Sequence, residues 1–241
     1  MGDQPHLHPQ QVVLLRRYFG ASRLRVLDLG CGRGRGVRAL EQLGHDAWGA
    51  DISEREIRAA EGPHPERFLL MRGGCVPASD GSFDVIITSE VLEHVNDLDM
   101  FASEVARLLR PGGVSIHSFP AKWRLIEPHF NAPLIHWLPK NRLRWYALYL
   151  LQRTRPLHPP EIPAEASVRT VVDFEYEYSN LETFYRPHRR ITRAFAQHGL
   201  SVASVSGEHA KIPLGRGSRV ADWLVRTFAR EMLVASKPSA G

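Results

Sequence analysis

Glycines at every second position follow the first apolar segment, which reads Val26-Leu27-Asp28-Leu29-Gly30-Cys31-Gly32-Arg33-Gly34. Backbone without side chains can pass close under a bound ligand, because a Cβ atom there would collide with it. The dinucleotide pattern G-x-G-x-x-G fails from Gly30, since position 35 is arginine, and no G-x-x-x-x-G-K-[ST] occurs. The turn therefore predicts a ligand held against the backbone. It disfavours a site in which the glycine loop binds the phosphates of a dinucleotide or a nucleoside triphosphate.

A carboxylate follows the next predicted strand. Asp51 comes directly after the apolar segment 47–50, 21 residues after Gly30. The two oxygens of a carboxylate can each accept one O–H group, which suits a vicinal diol such as that of ribose. An ordinary loop acid that caps a helix is the alternative for Asp51.

These features resemble the class I S-adenosylmethionine-dependent methyltransferases, whose first motif is an apolar strand followed by D-x-G-x-G-x-G. The segment 80–95 resembles the fourth-strand signature of that family, and Leu109-Arg110-Pro111-Gly112-Gly113 resembles the turn before its fifth strand. The resemblance covers most of the first 120 residues and implies S-adenosyl-L-methionine as the cofactor. The residues it implies for cofactor binding are Asp28, Gly30, Cys31, Gly32, Gly34, Asp51, Ile52, Gly74, Cys75, Ser89, Glu90 and His94.

The third strand departs from the family pattern. Many relatives carry an acid there that binds the adenine amino group, whereas this chain reads Arg72-Gly73-Gly74-Cys75-Val76. We therefore expect adenine to be held by backbone groups around Gly74 and Cys75 and by apolar packing.

Strands and helices alternate along most of the chain, which predicts an α/β fold with a mostly parallel sheet. Strands are predicted over 24–29, 47–50, 67–71, 84–88, 114–119, 200–205 and 231–235, and helices over 10–18, 37–43, 53–60, 97–109, 181–198 and 218–230. The resemblance implies a Rossmann-like methyltransferase fold with seven strands in the order 3-2-1-4-5-7-6. We expect a single domain, 1–241, in which the segment 120–180, rich in proline, aromatic residues and arginine, is a helical or irregular insertion that caps the substrate.

An acceptor oxygen must lose a proton on methylation, and histidine is the usual base near neutral pH. His129, oriented by Glu127, follows the fifth strand at the carboxyl edge of the sheet, where open α/β folds place ligands. The segment resembles one in bacterial methyltransferases associated with polysaccharides and glycolipids, where a Glu/His pair precedes an aromatic residue and Pro-Leu-x-His-Trp-Leu-Pro. The alternatives are a loop anchored by polar contacts, or His94 as the base. The spacing of His129 and His136 does not predict a metal site.

The segment 121–155 holds seven basic residues and one acid, a net charge of +6 within a chain of +5. Within it, 139–153 reads as a helix carrying aromatic residues flanked by arginines. This helix could contact a membrane surface or an acyl chain, form a lid, or mediate a homodimer. The chain has no run of 18 apolar residues and no secretory signal pattern, so we expect a cytoplasmic protein.

The sequence as a whole predicts a methyltransferase that modifies a hydroxyl of a sugar, a glycolipid or a related metabolite, with a small-molecule or lipid-linked glycan acceptor. Arginines interleaved with tryptophans leave an RNA or DNA methyltransferase as an alternative. No nucleic-acid partner is expected, however, because the chain lacks a recognisable RNA-binding module and the N-P-P-Y type of tetrapeptide. A non-catalytic cofactor-binding scaffold is the third possibility.

Overall fold

Seven strands form one sheet in the computed structural model, which describes residues 7–60, 64–127, 129–154, 159, 162–205 and 230–239. The strands are β1 (Arg25–Leu29), β2 (Asp46–Asp51), β3 (Phe68–Leu70), β4 (Phe83–Ser89), β5 (Leu109–Pro120), β8 (Ser201–Ser204) and β9 (Arg230–Ser236). A separate hairpin pairs β6 (Ile126–Glu127) with β7 (Ala132–Pro133). The helices are α1 (Pro9–Phe19), α2 (Arg35–Gln42), α3 (Glu54–Arg58), α4 (Leu98–Leu108), α5 (Arg142–Thr154), α6 (Val168–Glu177) and α7 (His188–Gln197).

The order across the sheet is β3-β2-β1-β4-β5-β9-β8, with β9 antiparallel to both of its neighbours. When the hairpin strands, which form their own sheet, are left out of the count, this is the order 3-2-1-4-5-7-6. The Rossmann-like methyltransferase fold predicted from the sequence is confirmed.

Continuous apolar strands bury both faces of this sheet. Alternate residues of β4 belong to different core clusters: Ile86 lies in the cluster that includes Phe101 of α4 and Phe195 of α7. Its neighbours Val85 and Ile87 lie in the cluster that includes residues of α1 and α2. Helices therefore cover the sheet on both sides, as parallel sheets require, and the strand ends remain available for a site.

Two predicted boundaries are wrong. The helix expected over 181–198 begins only at His188, because the residue before a proline is disfavoured in helical conformation and Pro187 is the N-cap. The turn expected at 111–113 is part of β5, since Gly112 donates to the backbone oxygen of Lys237, and the N–H of Lys237 donates to Gly113. The predicted helix 218–230 lies outside the described residues, except for Arg230, which begins β9.

The segment 120–180 contains the β6–β7 hairpin and helices α5 and α6, which share a small apolar cluster of their own around Phe130, Leu148 and Val172. A π-helical turn, Tyr178–Glu182, leads from α6 back toward the sheet. The organisation of the chain as one domain with a substrate-capping insertion stays a prediction. Within the described part of the chain, no helix has the length and apolar character needed to cross a bilayer.

Candidate cofactor and acceptor site

The glycine turn after β1 has left-handed backbone at all three predicted positions, with φ of 85° at Gly30, 50° at Gly32 and 76° at Gly34. A Cβ atom at Gly30 would lie 2.4 Å from a methyl carbon of Val91, and one at Gly34 would lie 2.4 Å from the ring of Phe68. A Cβ atom at Gly32 would meet nothing within 4 Å. The expectation that a ligand excludes a side chain at all three positions is therefore corrected: the protein itself excludes one at two of them, and only Gly32 faces open space.

The carboxylate of Asp51 closes this turn. Its Oδ2 accepts the backbone N–H of Gly32 at 2.9 Å, and its Oδ1 accepts that of Ser53, the N-cap of α3, at 2.8 Å. These two bonds fix the carboxylate at the end of β2 while leaving a lone pair on each oxygen for a ligand.

A cavity of about 540 Å³ opens beside the turn. Six of the residues predicted to bind the cofactor line it, namely Gly30, Asp51, Ile52, Gly74, Glu90 and His94. This volume lies within the range of small-molecule sites. The structure therefore brings the ends of β1, β2 and β4 together around one space.

The other predicted cofactor residues do not line the cavity. Asp28 is buried beneath the turn, where burial and the nearby charge of Asp51 raise its pKa to about 7. The side chain of Cys31 is buried against Gly49, and burial raises the pKa of its thiol. Both residues support the turn from below and have no contact with the cavity.

Two further residues predicted to bind the cofactor, Cys75 and Ser89, have polar groups that are bonded within the protein. The backbone N–H of Cys75 donates to the backbone oxygen of Arg72 at 3.0 Å, so it is already occupied. The hydroxyl of Ser89 donates to Gln11, a buried residue of α1 that also donates to the Thr88 carbonyl. Helix α1 is thereby tied to the end of β4, which sequence analysis did not anticipate.

An acid that sequence analysis missed lies on the cavity wall opposite β3. Asp97 and Met100, at the start of α4, line the cavity together with Gly74. The Asp97 carboxylate accepts the N–H of Met100, and the Met100 side chain packs against Gly74. A carboxylate therefore lines the same cavity as Gly74 although the 72–76 segment carries none, and only the fold reveals it.

The Glu127–His129 pair predicted as base and orienting group is present. Nδ1 of His129 lies 2.5 Å from Oε1 of Glu127, whose side chain is 1% exposed. Oε1 also accepts the hydroxyl of Tyr185 at 2.7 Å, and Oε2 accepts the N–H of Phe130 at 2.8 Å. Burial alone would raise the pKa of Glu127, but these three donors hold it below its usual range.

His94 connects this pair to the cavity. It lines the cavity wall, and its ring centroid lies 5.1 Å from that of His129. Its Nδ1 lies 2.7 Å from the backbone oxygen of Glu182, and burial lowers its pKa. His129 itself does not line the cavity beside the glycine turn, but it contacts His94, which does.

Two more carboxyl groups lie in this region. Glu93 is 3% exposed, and neither of its oxygens has a hydrogen-bond partner among the described residues. Burial together with the charge of Glu90 raises its pKa to about 8. Glu90, at φ 56°, pairs with Arg230 at 2.5 Å. Potential ligand atoms of Glu93, His94 and His129 lie within 4.8 Å of one another, a grouping that could hold a metal ion. Sequence analysis had considered only His129 with His136.

Comparison with known proteins adds a family to this geometry. The family described as Methyltransferase domain matches residues 27–117. A "Ubiquinone biosynthesis O-methyltransferase" of Sinorhizobium fredii is 32% identical over 158 residues, which are 62% of this chain and 61% of that protein. The protein of the same name from Mesorhizobium japonicum is 38% identical over 96 residues, 38% of this chain and 39% of its own length. The chain thus spans less than two thirds of these curated relatives.

Solved structures share the fold. An S-adenosylmethionine-dependent methyltransferase from Mesorhizobium loti superimposes with a TM-score of 0.58 at 16% identity, over 93% of this chain and 96% of that one. Phosphoethanolamine N-methyltransferase 2 of Haemonchus contortus was solved with phosphomonomethylethanolamine and S-adenosylhomocysteine. It superimposes with a TM-score of 0.56 at 16% identity, over 98% of this chain and 54% of that one. Residues 27–117 match this methyltransferase domain, and the sheet order and the glycine turn bonded to Asp51 agree with the class I S-adenosylmethionine-dependent methyltransferases.

Proposed function

We propose that this protein transfers a methyl group from S-adenosyl-L-methionine to an oxygen atom of a small molecule, with His129 as the general base. The observation that carries the proposal is the position of the Glu127–His129 pair, whose carboxylate is buried and whose imidazole reaches the cavity beside the glycine turn through His94. A binding cavity and a hydrogen-bonded base are the two parts that such a transfer needs.

The residues around the cavity fit the proposed cofactor. Asp51 keeps a lone pair on each oxygen for the ribose hydroxyls, and the open space at Gly32 admits a ligand close to the backbone. Gly74, Asp97 and Met100 form the wall that would take adenine. The cofactor supplies a methyl group on a cationic sulfur, so the protein needs mainly to align the acceptor and exclude water.

The Glu127–His129 pair is arranged to remove a proton. Because Glu127 accepts from Nδ1, that nitrogen carries the proton and Nε2 keeps a lone pair for the acceptor hydroxyl. Tyr185 and the N–H of Phe130 hold the carboxylate ionised. The carboxylate can then stabilise the imidazolium that forms when the hydroxyl proton is taken up.

Two observations bear on the acceptor, namely the names of the curated relatives and the aromatic rings around His129. The curated relatives are named as O-methyltransferases of ubiquinone biosynthesis, which supports oxygen as the methylated atom. Those names lend no support to the sugar or glycolipid acceptor expected from the sequence, and the lipid-linked glycan and the homodimer likewise stay predictions. Aromatic rings surround His129, with the Tyr178 centroid at 5.3 Å, which favours an acceptor with a flat apolar body.

The experiment is methyl transfer from isotope-labelled cofactor to a panel of phenols, monosaccharides and cell extract, with products identified by mass spectrometry. We expect an O-methylated product with the wild type and its loss in His129→Gln, while affinity for S-adenosylhomocysteine stays within about twofold, since losing a general base costs about 10²- to 10⁴-fold in rate.

His188→Gln is the matched control. His188 forms a very similar pair with Glu231, at 2.6 Å and with a side-chain exposure of 22% against 23% for His129, and it does not line the cavity. Its activity should match the wild type. Full activity in His129→Gln, or methylation on nitrogen, would overturn the proposal.

A further inference from the structure

The basic segment 121–155 does not present all of its charges to solvent. Arg144 is 3% exposed and donates to the backbone oxygens of Leu138 and Ser179. The ammonium of Lys140 donates to two backbone oxygens of the segment 180–183, at 2.6 and 2.7 Å. These two residues hold the insertion together, so they are not part of a surface charge patch.

Helix α5 turns polar as well as apolar side chains inward, so its apolar residues are divided between two sides. Arg144, Leu148 and Gln152 form its buried side, and Gln152 donates to the buried carboxyl of Glu175. Other apolar residues of this helix face outward. A helix on the surface of a protein normally places its apolar stripe toward the core. An apolar stripe that faces outward therefore indicates that another molecule or a membrane covers it.

Three large apolar side chains form that stripe: Leu143 is 55% exposed, Tyr146 59% and Leu150 65%. They are three and four residues apart, the spacing that puts side chains on one helix face. Arg142 and Arg153, both exposed, occupy positions on the same side of the helix. The outer face of α5 is therefore apolar along its centre and basic toward its ends.

A second group of exposed apolar side chains lies on the β6–β7 hairpin and the turns on either side of it. The members, 39–55% exposed, are Trp123, Leu125, Ile126, Leu134 and Trp137. The two tryptophan rings meet edge to face at 5.6 Å, and the ammonium of Lys122 lies 4.8 Å from the ring centroid of Trp123. The turn Ile135–Trp137, which carries Trp137, contacts α5. We therefore call the hairpin group and the outer face of α5 together the insertion face.

We propose that the insertion face docks on an anionic membrane surface. Trp and Tyr prefer the boundary between headgroups and acyl chains, and basic residues beside them are attracted to anionic headgroups. From Ala121 to Thr154 the only acid is Glu127, which is buried. A second copy of the chain is disfavoured as the occupant, because a symmetric interface over this face would bring its basic residues together without an acid to pair them.

The docking mode is interfacial. Helix α5 has 13 residues, and an amphipathic helix of this kind lies in the plane of the headgroups with its apolar face inward. Ile126 directly precedes Glu127 in β6, with Ile126 exposed and Glu127 buried, so the membrane surface would meet the outer side of the strand that carries the Glu127 carboxylate. The docking itself does not depend on methyl transfer.

The test is co-sedimentation of the full chain with vesicles of phosphatidylcholine alone and of phosphatidylcholine mixed with an equal amount of phosphatidylglycerol. We expect binding to the mixed vesicles that falls as salt is raised. Arg142→Gln with Arg153→Gln should weaken binding by about fivefold per arginine, and Leu143→Ser with Leu150→Ser by about tenfold or more.

Matched controls come from α1 and the turn after α2. Arg16→Gln with Arg17→Gln removes the same charge from exposed positions, and Val13→Ser with Leu43→Ser removes exposed apolar residues; neither should change binding. Equal losses in these controls, or a wild type that ignores the mixed vesicles, would overturn the proposal. So would a dimer in sedimentation velocity that the Leu143→Ser, Leu150→Ser variant converts to monomer, because the face would then belong to a second copy.

Discussion

Asp51→Asn is the substitution that most directly tests how the cofactor end of the cavity works. The carboxylate accepts backbone N–H groups from Gly32 at 2.9 Å and from Ser53 at 2.8 Å, one on each oxygen. Asparagine has one oxygen and an amide nitrogen that cannot accept, so one N–H loses its partner and one ligand hydroxyl loses its acceptor. A hydrogen bond to a charged group contributes about 1.5–3 kcal/mol, so we expect affinity for S-adenosylhomocysteine to fall about 10- to 150-fold.

Isothermal titration with S-adenosylhomocysteine measures this loss, and thermal unfolding without ligand shows how much of it comes from the fold. Asp46→Asn is the matched control, since Asp46 begins the same strand at its other end and forms ion pairs with Arg25 and Arg67. Its affinity should stay within about twofold, because exposed ion pairs contribute only about 0–1 kcal/mol and do so away from the cavity. Unchanged affinity in a folded Asp51→Asn protein would refute the reasoning.

Three further predictions concern the stability of the site. Gly30→Ala should cost about 2–4 kcal/mol in urea unfolding, from left-handed backbone and the clash with Val91, and Val91→Ala should recover only the clash. Gln11→Leu should cost about 1–3 kcal/mol, because the buried carbonyl of Thr88 loses its donor. The pKa of Glu93, raised from 4.5 to about 8, means that the folded protein holds a proton that the unfolded chain releases, so stability falls as pH rises between these values, by up to about 1.4 kcal/mol per unit. Glu93→Gln should flatten this slope in thermal unfolding from pH 5 to 8, and an unaltered slope would mean that Glu93 is ionised in the native state.

Local signals were sufficient for the sheet. Short apolar runs located β1, β2 and β4, and the first two of these runs end at Gly30 and Asp51, because buried parallel strands carry apolar residues on both faces. The order of the strands came from the family resemblance and not from these runs. The error at 181–187 has a local cause that was readable, since Arg186-Pro187 marks the helix start.

The site residues also fall into two groups, those that local sequence signals predict and those that only the fold reveals. Asp51 and Gly30 are recognisable because Asp51 ends a strand and Gly30 directly follows one, and parallel strands deliver their ends to one edge. Asp97, by contrast, is an ordinary N-cap in the sequence, and only the packing of α4 across the cavity places it opposite Gly74. Tyr185 lies 58 residues after Glu127, in a segment whose path depends on how the insertion folds back. No spacing rule connects such residues.

The carboxyl groups near His129 illustrate what folding adds to residue type. Glu93 and Glu127 are both almost fully buried, and desolvation raises the pKa of each. Glu127 receives three hydrogen bonds, which outweigh that effect, whereas neither oxygen of Glu93 has a partner among the residues that the structure describes. At neutral pH the environment therefore leaves one negative charge behind His129 and one neutral acid beside it.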